Sequence, residues 1–213
     1  MKILNLYAGI GGNRKLWPKE CEVTAVENNP DIAKIYQDFF PDDKVIVGDA
    51  HEYLLQHYKE FDFIWSSPVC KTHSGTNCFL NAQGCVRYPD MSLWQEIVFL
   101  KQFFKGKYVV ENVISYYEPL YSCFESERHY FWSNFNIDKR KKDLSITITN
   151  SRASTRRTKD EYLSKLQNYH GINLSNYDMA ITKKTELLAN CVRPGLGLYV
   201  FNCAFKEKQV TLL

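Results

Sequence analysis

The chain has 213 residues, of which 45% are hydrophobic and 24% charged, with a formal net charge of +3. These values suit one globular domain with a sizeable core and exclude both a disordered chain and a strongly polybasic one. The apolar runs are too short to cross a bilayer and the N-terminus enters a strand pattern at once, so the expectation is a cytoplasmic protein with no membrane partner.

Lys2 to Leu6 predicts a short strand, and Ala8-Gly9-Ile10-Gly11-Gly12 turns it toward a helix expected from about Asn13. Glycines let backbone approach a ligand closely, and a helix N-terminus offers free amide donors. Cys21 to Val26 predicts a second strand that ends in Glu27-Asn28-Asn29-Pro30. An acidic residue there is the usual grip of a Rossmann-like fold on ribose hydroxyls. Pro30 and Asp31 open a helix through about Phe39, and Val45-Ile46-Val47 is a third strand that ends in Gly48-Asp49-Ala50. Glu27 and Asp49 also suit the bland role of helix N-cap, and one residue can serve both.

A short helix is expected over residues 51–58. The run Phe61-Asp62-Phe63-Ile64-Trp65 then reads as a buried strand stopped by Ser66-Ser67-Pro68. Cys70 falls just past its carboxyl end, where open α/β sheets place their ligands. Lys71 to Pro89 shows no periodicity, and a loop of that length inside a domain is usually functional. Leu93, Ile97, Leu100 and Phe104 give Ser92 to Phe104 a helical spacing, and Val109 to Val113 is a strand that carries Glu111. Residues 128–135 read as a further aromatic-rich strand. The fold class expected is α/β, with a mostly parallel sheet and helices on both faces.

Cys21, Cys70, Cys78, Cys85, Cys123, Cys191 and Cys203 include no Cys-x-x-Cys pair, so they read as reduced thiols and not as metal or disulfide sites. Between Lys139 and Lys159 stand eight basic residues (Lys139, Arg140, Lys141, Lys142, Arg152, Arg156, Arg157 and Lys159) and one acid, Asp143. Such a run is either a solvated face or a set of phosphate contacts.

Ser67-Pro68-Val69-Cys70-Lys71 resembles the Ser-Pro-Pro-Cys-Gln signature of the DNA cytosine-5 methyltransferases. Glu111-Asn112-Val113 resembles their Glu-Asn-Val, and Leu6-Tyr7-Ala8-Gly9-Ile10-Gly11-Gly12 their glycine-rich donor loop. Ala189-Asn190-Cys191-Val192-Arg193-Pro194 is similar to their closing Gly-Asn-x-Val-x-Pro, and residues 160–169 faintly resemble the helix before it. The resemblance implies a Rossmann-like fold that binds S-adenosyl-L-methionine through Tyr7, Gly9, Ile10, Gly11, Gly12, Glu27, Asn28, Asp49, Ala50, Pro68 and Asn190. Within that set it gives Glu27 the ribose and Asp49 the adenine amino group. It makes Cys70 the covalent nucleophile toward cytosine carbon 6, Glu111 the acid at ring nitrogen 3, and Arg128 the holder of the exocyclic oxygen. The base must leave the duplex to reach Cys70, with DNA as the partner.

The chain departs from the family in four places. Val69 stands for a proline, Phe124 and Ser126 stand where a glutamine and an arginine are usual, and Lys71 stands for a glutamine. Residues 136–159 form a short basic insertion where relatives carry a target-recognition domain. That brevity implies a recognition site of a few bases, or a partner that supplies specificity. Lys71 could reach a DNA phosphate or lower the Cys70 pKa; it could also pair with a carboxylate on the donor, as in carboxy-S-adenosyl-L-methionine, giving 5-carboxymethylcytosine. The same chemistry on RNA, and an inactive nucleic-acid-binding subunit of the same fold, are the rival readings.

Overall fold

The structure, a computed structural model, describes residues 1–138 and 156–206, the side chains of 156–158 excepted. Five strands rich in β-branched and aromatic residues run parallel: β1 (Lys2–Leu6), β2 (Glu22–Glu27), β3 (Lys44–Val47), β4 (Phe63–Ser66) and β5 (Lys107–Val113). A hairpin of β6 (Phe124–Ser126) and β7 (His129–Ser133) completes the sheet, with β7 antiparallel to β5. The strand order is β3-β2-β1-β4-β5-β7-β6. It reverses direction between β1 and β4, so the crevice at the carboxyl ends of those two strands is the place for a ligand.

Successive strand residues point to opposite faces, and each face has its own cover. Leu4, Leu6, Ile64, Tyr108 and Val110 pack under α2 (Ala50–His57) and α4 (Ser92–Phe103), against Leu54, Leu93, Ile97 and Leu100. Ile3, Phe63, Trp65 and Val109 face the other way, against Trp17 and against Leu196, Val200 and Phe201 of α7 (Pro194–Phe205). Each such side chain contributes roughly 1.5–3 kcal/mol on burial. The other helices are α1 (Pro30–Phe39), α3 (Asn77–Ala82), α5 (Arg156–His170) and α6 (Ile181–Ala189). Among the described residues no helix is long and apolar enough to cross a membrane.

The helix expected from Asn13 does not form. The amides of Gly11, Arg14 and Trp17 instead bond the carbonyls three residues back, a chain of turns that ends at Pro18. Proline disfavours the helical conformation of the residue before it, and five residues between Gly12 and Pro18 leave little room for a helix. Tertiary bonds also hold the segment: Asn13 Nδ2 donates to Asn5 Oδ1 at 2.8 Å, and the Arg14 guanidinium grips Asp43 at 2.9 and 3.0 Å. The sheet face that a crossover helix would cover is filled by Trp17 and α7, whose rings stack with centroids 5.2 Å apart.

Two further expectations are corrected. The loop from Lys71 to Pro89 contains α3, and the strand expected over residues 128–135 is β7 alone, paired to a strand not foreseen. Helices α6 and α7 were not predicted either. The basic insertion lies mostly outside the described residues; Lys159, within α5, is exposed.

Candidate active site

Pairing of β4 with β5 sets Ser66 beside Val110, so the chain leaving β4 runs past Glu111 and Asn112. Asn112 Nδ2 donates to the Pro68 carbonyl at 2.9 Å and its Oδ1 accepts the Val113 amide at 3.0 Å. That clamp ties the Cys70 loop to the strand bearing Glu111. Beyond it, the Cys70 carbonyl accepts the amides of His73 and Ser74 at 3.0 and 3.1 Å, which closes a tight turn at the half-buried thiol.

Glu111 is buried. The Ser67 hydroxyl donates to its carboxylate and in turn accepts the Trp65 indole N–H at 2.9 Å. Burial raises the Glu111 carboxyl from 4.5 to about 7, against the opposing pull of Ser67 and of the Arg128 charge. Burial, and then the charge of Glu111, push the Cys70 thiol up, while Lys71 and Arg128 act to lower it. Arg128 follows Glu127 at the tip of the β6–β7 hairpin, where Glu127 takes a left-handed φ of 56°, and its Nη2 donates to the Ala189 carbonyl at 3.2 Å. His129 Nε2 lies 3.6 Å from Glu111 Oε1; burial holds this imidazole down to about 3, so it is neutral. Cys70, Glu111 and Arg128 therefore lie within one electrostatic neighbourhood.

The glycine loop leaves β1 at Tyr7, whose φ of 54° is left-handed and unusual for a residue with a side chain; that conformation costs roughly 1–2 kcal/mol. Gly9 shares this φ, and a Cβ there would meet nothing within 4 Å, so its backbone is open to a ligand. Its amide donates to Glu27 Oε2 at 3.0 Å, and Glu27 Oε1 accepts the Asn29 amide at 3.0 Å. Each oxygen keeps a lone pair, and Asn28 is exposed beside them. Ile10 is buried. Gly12 lies so close to the closing segment that a Cβ would come 2.5 Å from the Val192 carbonyl oxygen. Gly11, at φ 77°, would drive a Cβ into Phe40 and Tyr36. Exposed Asp49 caps α2 by accepting the Glu52 amide at 2.8 Å, with Ala50 buried behind it. Asn190 is the exposed C-cap of α6, next to Cys191, which packs on Gly12.

The structure thus gathers Tyr7, Gly9, Glu27, Asp49 and Pro68 at the carboxyl ends of β1 to β4, and brings the closing segment back to Gly12. The open backbone at Gly9, the spare lone pairs of Glu27 and the exposed carboxylate of Asp49 fit a nucleoside-bearing donor. Lys71 meets a partner that the sequence did not suggest: its Nζ lies 3.3 Å from Glu186 Oε1 on α6. The Asn112 clamp and the Trp65–Ser67–Glu111 chain were likewise missed. Their signal lay in the parallel register of β4 and β5, which local pattern does not carry.

No protein-family model matches the chain, and no curated protein matches it. Among solved structures, the Entamoeba histolytica methyltransferase EhMeth is similar at 11% identity and a TM-score of 0.60, over 97% of this chain and 99% of that one. Spodoptera frugiperda DNMT2 is similar at 26% identity and a TM-score of 0.40, over 53% of this chain and 35% of that one. An S-adenosylmethionine-dependent methyltransferase from Agrobacterium tumefaciens is similar at 14% identity and a TM-score of 0.39, over 53% and 38%. The likeness to EhMeth bears on fold alone: the chain has the Rossmann-like fold of that methyltransferase.

Proposed function

We propose that the chain is a methyltransferase that moves a methyl group from S-adenosyl-L-methionine to carbon 5 of cytosine in DNA, through a covalent bond at Cys70. The observation that carries this reading is the meeting of the Cys70 loop with a buried Glu111 whose carboxyl is raised to about 7. A carboxyl so poised can hold a proton and give it up at neutral pH.

S-adenosyl-L-methionine, when bound, supplies a methyl group on a positively charged sulfur. Glu27 would hold its ribose, Asp49 its adenine, and the backbone of Gly9 to Gly12 would line it. The Cys70 thiolate forms a bond to ring carbon 6 as ring nitrogen 3 takes the Glu111 proton, which makes carbon 5 nucleophilic. Arg128 holds the exocyclic oxygen. After alkylation the carbon 5 proton leaves to solvent, the bond to Cys70 breaks, and Glu111 takes back the nitrogen 3 proton. Nucleic acid as substrate is supported by the loop beyond Cys70, which exposes the rings of Phe79 and Tyr88 to 74% and 80% in the same segment that carries the cations Lys71 and Arg87, residue types suited to stacked bases and phosphates. Because Lys71 is paired with Glu186, its charge does not call for a carboxylate on the donor.

Product analysis tests the reading. The full chain is incubated with S-adenosyl-L-methionine and, separately, duplex DNA, single-stranded DNA and RNA of one sequence, and the digested nucleosides are weighed. The expected product is 5-methyldeoxycytidine, absent with Cys70→Ser. Methylated cytidine from RNA alone would move the substrate to RNA, and no modified cytosine from any of them would overturn the reading.

A further inference from the structure

Glu96 lies on α4, outside every motif considered so far, and is fully buried. Its Oε1 accepts the Tyr7 hydroxyl and stands 3.3 Å from His51 Nδ1; its Oε2 accepts the Ser66 hydroxyl at 2.5 Å. A buried carboxylate is costly unless donors surround it, and here they come from different segments of the chain. Tyr7 follows β1 and leads into the glycine loop. Ser66 ends β4, just before Pro68. His51 sits in the first turn of α2, after Asp49 and Ala50. Each segment supplies a residue to the donor site, and Glu96 touches all of them from beneath.

The backbone at Tyr7 gives the arrangement its point. A bulky side chain stays in the left-handed region only where its surroundings over-determine it. One restraint is the bond from the Ala8 amide to the Val26 carbonyl at 3.0 Å; the other is the phenol held by Glu96. We propose that Glu96 is a positioning residue of the donor site: through the Tyr7 phenol it holds the turn from which the glycine loop departs, and through Ser66 and His51 it sets that loop against the segments bearing Pro68 and Asp49. The inference rests on the donor reading given above. A network that served stability alone would lower the melting temperature when broken and leave the affinity of the folded protein unchanged.

The test is calorimetric binding of S-adenosylhomocysteine, the demethylated donor, to the full chain. Glu96→Leu and Tyr7→Phe are each expected to weaken binding about tenfold, and the double variant no more than the weaker-binding single one, because the bond from the Tyr7 hydroxyl to residue 96 is lost in either. Tyr7→Phe keeps the ring and loses only the hydroxyl, so it carries the test if Glu96→Leu does not fold. Native affinity in folded Tyr7→Phe, even with a lowered melting temperature, would overturn the inference while the donor site stands. A native chain that does not bind S-adenosylhomocysteine would overturn the donor reading and this inference with it.

Discussion

In the proposed reaction Glu111 and Cys70 hold a single proton between them, on the carboxyl and not on the thiol, when the base arrives. Burial raises both groups, Glu111 to about 7 and Cys70 above its ordinary 9.0. Below pH 7 both are protonated and the thiolate is scarce. Between the two values the pair carries one proton, a fixed small fraction of it on Glu111, so the rate of adduct formation rises toward about pH 7 and then levels, falling again only as the thiol titrates. A stopped-flow profile that falls steadily from pH 5 to 8 would contradict this. The same shift has a sign in stability. The unfolded chain releases the Glu111 proton near 4.5 and the folded chain near 7, so stability present below 4.5 is lost as pH rises through that window, by at most about 3 kcal/mol. Urea unfolding across the window should show the slope, and Glu111→Gln should flatten it. Cys70 and Glu111 were legible in the sequence because each falls within a motif, Cys70 just past β4 and Glu111 inside β5. The partner that fixes their geometry was not, since Asn112 and Pro68 stand 44 residues apart.

At the scale of elements, the site is a product of parallel pairing between β4 and β5. Removing the Asn112 side chain leaves the Pro68 carbonyl buried without its donor, which costs roughly 1–3 kcal/mol. Asn112→Ala should therefore lower stability by about that amount and slow adduct formation by about tenfold, as Cys70 shifts relative to Glu111; denaturant unfolding and single-turnover rates check the two effects separately. The strands could be read from their β-branched and aromatic runs. The segment after the glycine loop could not, because Asn13 to Trp17 has helix-compatible composition and tertiary bonds to Asn5 and Asp43 override it. Helix α7 was hidden for the opposite reason: Pro194-Gly195-Leu196-Gly197-Leu198 has two glycines and no polar stripe, as suits a helix buried on most sides but not one found by periodicity.

Across the whole molecule, α7 covers the sheet face left bare by the turns after β1, and Gly197 is the point of closest approach. A Cβ at Gly197 would lie 2.5 Å from the Asn13 carbonyl oxygen, against backbone that cannot give way cheaply. Gly197→Ala is accordingly expected to cost about 2 kcal/mol in chemical unfolding, despite the better helix propensity of alanine. The basic residues Arg152, Arg156 and Arg157 belong to this scale too; if they meet phosphates, replacing them with neutral residues weakens DNA binding for all sequences and flattens its salt dependence. The most direct test of the central claim is covalent capture. The full chain is mixed with S-adenosyl-L-methionine and a DNA oligonucleotide bearing 5-fluorocytosine, which blocks loss of the carbon 5 substituent, and the mixture is denatured and weighed. The account predicts a protein–DNA adduct mapped to Cys70, lost in Cys70→Ser and retained in Cys78→Ser and Cys85→Ser; no adduct with the native chain, or one that survives Cys70→Ser, would contradict it.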